Sequence, residues 1–65
     1  MNPTTLTALR IAHRRMQSLI EELYTAAQIA LDNDDLPDAS LLQSIADKLY
    51  LEAENLDILI SELEG

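Results

Sequence analysis

Asp32-Asn33-Asp34-Asp35-Leu36-Pro37 is the one clear break in a chain that otherwise reads as continuous helix. Asn and Asp side chains compete for backbone hydrogen bonds and favour turns over helix interiors. Leu36 precedes a proline, whose ring disfavours the α region for its neighbour. Pro37 suits the first turn of a new helix, and Asp38 complements that helix's N-terminal dipole. This reading gives a single all-α domain over 1–65. It consists of an antiparallel two-helix hairpin with helices over about 3–32 and 37–63 and a turn around 32–36.

Working back from the turn, no Gly or Pro interrupts the chain as far as Pro3. Asn2-Pro3 supplies an N-cap and a proline where its missing N–H costs nothing. Leu9, Met16, Leu23 and Ala30 recur every seven residues, with Ala12, Leu19 and Ala26 at the companion offset. Leu6, Ile20 and Ala27 widen this stripe, and His13 shares their column. Working forward, Leu42, Leu49, Leu56 and Leu63 form a second heptad, with Ile45 and Leu59 as companions and Ala46, Ala53 and Ile60 as the widening column. The expected hairpin core is therefore Leu9, Met16, Leu19, Leu23, Leu42, Ile45, Leu49, Leu56, Leu59 and Leu63. Glu52 falls where this pattern wants an apolar residue. Either a small rotation gives the contact to Ala53 and leaves Glu52 in solvent, or Glu52 is buried and paired, fixing register.

Six apolar residues remain off these seams: Ile11, Ile29, Leu31, Leu41, Leu51 and Ile58. Leu51 and Ile58 form a second line on the second helix, and the hairpin is expected to bring Ile11 near Ile58. Ile11, Leu51 and Ile58 are thus expected to form an interface to another chain, since six stray hydrophobes exceed ordinary scatter. Two hairpins joined there would make a four-helix bundle, and a twofold homodimer is the commonest symmetric solution.

Composition points the same way. Apolar residues make up 48% of the 65, yet there is no Phe, Trp or Cys. A core in so short a chain supplies about 3–5 kcal/mol at most, and small chains usually add disulfides, a metal or a partner. Without cysteine, disulfides and thiolate metal sites are excluded. No run approaches the roughly 20 apolar residues of a membrane span, and no secretory signal is visible, so a cytoplasmic location is expected.

No catalytic constellation emerges. His13 is the only histidine, and no nucleophile sits beside it at a recognisable spacing. A di-iron site needs Glu-x-x-His on facing helices, and neither helix has one. The acidic turn lacks the glycine and glutamate of a calcium loop; Pro37 and Gln43 stand at those positions. The chain is therefore expected to be no enzyme and to carry no cofactor or metal.

The net charge of −8 repels nucleic acid and anionic membranes and favours basic partners. Arg10, Arg14 and Arg15 concentrate three of the four basic residues on the first helix. They form a candidate partner-contact patch, although Glu54, Asp57 and Glu62 fold to the same end and could pair with them. No aromatic side chain interleaves them to stack on bases. At the other end Asp32, Asp34 and Asp35 form an acidic tip, either solubilising or steering a basic partner.

In length and heptad layout the chain resembles the plasmid repressor-of-primer proteins, hairpins that dimerise into four-helix bundles and bind RNA. It is similarly like the small hairpin co-chaperones of type III secretion needles. The first likeness implies dimerisation and RNA binding, against which the net charge stands; the second implies a core completed by a partner. The expected function is a small, acidic, self-associating protein that acts as an interaction or regulatory module. The alternatives are a co-chaperone or inhibitor, of secretion or phage type, that completes its core on a basic or apolar helical surface, and a nucleic-acid regulator using Arg10, Arg14 and Arg15.

Overall fold

A computed structural model describes residues 2–65. The chain is two helices, α1 (Pro3–Asp32) and α2 (Leu36–Glu64), packed along each other. Asn2 caps α1 by accepting a 2.8 Å hydrogen bond from the Thr4 N–H, and Pro3 follows in the first turn. The rod measures 48 × 15 × 11 Å. Its thinnest dimension is that of one helix with side chains, so the hairpin has two broad faces and no interior beyond the seam between its helices.

The turn closes by a complete set of C-capping bonds. The Asp34 N–H donates to the Leu31 carbonyl at 3.0 Å and the Asp35 N–H to the Ala30 carbonyl at 2.8 Å. This is the Schellman pattern, which requires a left-handed residue just past the cap. Asp34 fills that place with φ 60; Asp tolerates it better than most non-glycine residues. Asp35 then caps α2, accepting from the Asp38 N–H at 3.2 Å.

The second helix starts one residue before the expected Pro37 and runs one past Leu63. Leu36 is its first residue, despite standing before proline. Proline in a first turn forfeits only an N–H that has no intrahelical acceptor, and the Asp35 cap fixes the entry of the chain. These bonds outweigh the preference of an isolated pre-proline residue.

The seam differs from the expected core. Its buried residues are Ile20, Ala27, Ala39, Ala46, Ala53 and Ile60, with Ala46 fully enclosed. Four are alanines, whose short side chains let the two backbones approach closely. The larger residues are therefore displaced to the shoulders of the contact. Leu9, Met16, Leu23, Leu42, Leu49, Leu56 and Leu63 are half-buried, and Leu19, Ile45 and Leu59 are exposed at 44%, 41% and 44%. Ala53 lies in the seam and Glu52 is exposed.

Candidate functional site

The helical repeat divides the molecule into two chemically distinct faces. Along α1 the seam column Leu6–His13–Ile20–Ala27 is flanked on one side by Leu9, Met16, Leu23 and Ala30, and on the other by Arg10, Gln17, Tyr24 and Leu31. Along α2 the seam column Ala39–Ala46–Ala53–Ile60 is flanked by Leu42, Leu49, Leu56 and Leu63 on one side and by Gln43, Tyr50, Asp57 and Glu64 on the other. Two contacts between the helices show which flanks meet. The Arg10 guanidinium pairs with Glu64, its Nε donating at 2.9 Å, and the Tyr24 hydroxyl donates to Asp47. These join the polar flanks, so the two leucine rows share the opposite broad face.

On that apolar face Leu19 lies outside the Met16–Leu23 row, and Ile45 and Leu59 lie outside the α2 leucine row. All three are exposed although they adjoin the half-buried apolar rows. Glu52 stands between Ile45 and Leu59 in the outer α2 row, near the middle of α2 (Leu36–Glu64). Asp38, seven residues before Ile45, is the other carboxylate in this column, at the turn end of α2.

Ile11, Leu51 and Ile58 do not share a face. Ile11 precedes the buried Ile20 by nine residues, two and a half turns, and so points away from α2. Leu51 and Ile58 each precede a seam residue by two positions, which turns them about 160° away from α1. The three are exposed at 41%, 59% and 57%, but on opposite narrow edges of the rod. The heptad spacing placed each residue on its own helix correctly; it could not say which way the two helices rotate toward one another.

The polar face carries a groove of about 540 Å³ lined by His13, Gln17, Ile20, Glu21, Tyr24, Tyr50, Ala53, Glu54 and Asp57. Both tyrosines of the chain are in it, and so is its only histidine, half-buried at the seam. The Asp47 carboxylate that accepts the Tyr24 hydroxyl proton holds this phenol above its ordinary value, with partial desolvation and the nearby Tyr50 adding to the shift. Sequence reasoning missed this groove. Its signal was present in the position of Tyr24 four residues after Ile20 and of Tyr50 three before Ala53, which sets both rings beside the seam.

The charged candidates separate in the same way. Arg10 is engaged by Glu64 rather than by Glu54, Asp57 or Glu62, and Arg14 and Arg15 are exposed with no ion pair among the described residues. Asp32, Asp34 and Asp35 gather at the turn, where Asp32 accepts from the Gln28 amide at 3.0 Å. Asp35 is occupied as a helix cap. Its hydrogen bond to Asp38, then its charge, then slight burial raise the Asp38 carboxyl above its ordinary value. Among the described residues no three His, Asp or Glu side chains converge as metal ligands would. Among the described residues no helix is long and apolar enough to cross a membrane.

Comparison with protein-family models, with curated proteins and with solved structures finds no match.

Proposed function

We propose that this chain is a non-enzymatic interaction module that works by pairing its apolar broad face with a second copy of itself, forming a four-helix bundle. One observation carries the reading: the two leucine rows, with Leu19, Ile45 and Leu59 outside them, fall on one broad face, and a single hairpin leaves that face half-covered. The footprint of 48 × 15 Å approaches the about 800 Å² that each partner contributes to a stable complex. Completing the burial of Leu19, Ile45 and Leu59 would add about 1 kcal/mol each, since they begin roughly half covered. A second copy offers the same complementary rows, and twofold pairing satisfies both at once. The assembled bundle would expose the acidic turn and polar face to regulatory partners.

Light scattering over a dilution series tests this, with helicity measured on the same samples. A dimer is expected. Leu19→Glu and Leu59→Glu should each shift it to monomer, because they set a charge inside the face. Leu51→Glu, on the narrow edge, should leave the mass unchanged. Dissociation by Leu51→Glu with no effect of Leu19→Glu would move the interface to the α2 edge. A monomer of wild type would favour the second reading, in which the same face completes its core on the apolar helix of another protein.

A further inference from the structure

We propose that the tyrosine groove on the polar face is a docking site for a cationic helix of a partner protein, one bearing Arg or Lys at positions seven apart. The groove faces away from the leucine rows, so it stays open whether or not the apolar face is covered, and the inference does not depend on self-association.

Three observations converge on this occupant. The two aromatic rings of the chain both lie here, partly exposed at 36% for Tyr24 and 50% for Tyr50, and a phenol ring presents a face that attracts Arg and Lys. Carboxylates surround the rings: Glu21 from α1, and Glu54 and Asp57 from α2, line the groove, with Asp47 at its edge on Tyr24. None of these four makes an ion pair among the described residues, whose single salt bridge is Arg10–Glu64. Finally, Asp47 and Glu54 are seven residues apart on one helical column, about 10 Å along the axis. A helix laid beside α2 repeats its own cations at that interval.

Other occupants fit less well. Nucleic acid and anionic lipid meet a chain of net charge −8 and a groove of carboxylates. A second copy would bring the same carboxylates against these, like charge on like. An apolar helix finds a far larger apolar surface on the opposite face. Arg10 is held by Glu64 toward the open end of the hairpin, so the partner's cations are expected over the Asp47–Glu54 half.

Tyrosine emission reads the site directly, because the chain has no tryptophan and both tyrosines line the groove. The probe is a monomeric helical peptide with two arginines seven positions apart, titrated into the full chain at low salt, with a glutamate-substituted peptide for comparison. The arginine peptide should change the emission saturably and the glutamate peptide should not. Tyr50→Leu keeps bulk but removes the π face, and should weaken binding about threefold. Glu54→Gln combined with Asp57→Asn should weaken it further, while Glu22→Gln and Asp32→Asn, which lie outside the groove, should each leave it within error. Circular dichroism on every variant separates lost binding from lost helix. Equal losses from the outside substitutions would reduce the attraction to net charge and overturn the proposal. So would the absence of saturable binding, or binding abolished by Leu19→Glu but insensitive to the groove variants.

Discussion

Asp34 holds the one left-handed backbone position in the described chain, φ 60, and it does so without being glycine. The Schellman bonds to Leu31 and Ala30 over-determine the conformation, and the side chain bears the steric cost. Asp34→Gly should therefore raise stability by about 0.5–1 kcal/mol, read from urea unfolding; a lower stability would show that the aspartate side chain supplies more than it costs. Four residues on the balance is electrostatic. Asp38 has its carboxyl raised by the adjoining Asp35, so its folded form holds a proton more tightly than its unfolded form. The sign follows by linkage: the penalty is present at neutral pH and disappears as pH falls through the Asp38 titration range. Asp38→Asn should thus be more stable than wild type at neutral pH, and the two should converge on acidification. A gap in thermal midpoint that is constant with pH would contradict this.

Between the helices, alanine rather than leucine sets the separation. Ala39, Ala46 and Ala53 recur at seven-residue intervals and end in Ile60, a column as regular as the leucine one beside it. Hydrophobicity ranking draws attention to the leucines. Close approach of two helices selects the column of small residues instead and leaves the leucines as shoulders. The sequence made legible the helix count, the turn, the bounds of α1 and the presence of surplus apolar surface. Which column faces inward was not legible, because adjacent heptad columns differ by a rotation of only about 50°, and choosing between them needs both helices together. For the same reason the spacing could not show that Ile11 lies on the opposite edge from Leu51 and Ile58, all three exposed, or that the two leucine rows share a broad face. The fully enclosed Ala46 is the sharpest test of the seam. Ala46→Leu should force the helices apart and cost about 1–3 kcal/mol, seen as a lower midpoint in thermal unfolding followed by circular dichroism. Ser18→Leu, exposed on the edge of α1 remote from α2, should be nearly neutral in that measurement.

Over the whole molecule, charge is distributed along the rod as unevenly as hydrophobicity is across it. Asp32, Asp34, Asp35 and Asp38 cluster at the turn, while Arg10, Arg14 and Arg15 lie in the half of α1 remote from it. If two hairpins pair through their apolar faces, the turns stand either together or at opposite ends. Neighbouring helices lie about 8–10 Å apart, so turns together would bring two acidic tips within roughly a Debye length at physiological salt. Turns opposed would keep the tips apart and set each over the partner's open end, where Arg10, Arg14 and Arg15 offset the carboxylates of Glu54, Asp57, Glu62 and Glu64. Glu52 acts in the other direction, since it lies midway along α2 and opposed hairpins bring the two copies of it near the twofold axis. That is one pair at the rim of the face against a whole tip at each end, and the turns-opposed dimer is the expected arrangement. The chain has no cysteine, so Asn33→Cys provides a unique site at the turn for a spin label. Opposed turns should give a label separation approaching the 48 Å length of the rod; turns together should give less than about 20 Å, two helix spacings. A short distance that lengthens when Glu52→Gln is added would mean that repulsion between the two Glu52 side chains outweighs the acidic tips. A short distance unchanged by Glu52→Gln would mean that packing of the leucine rows, and not charge, sets the orientation.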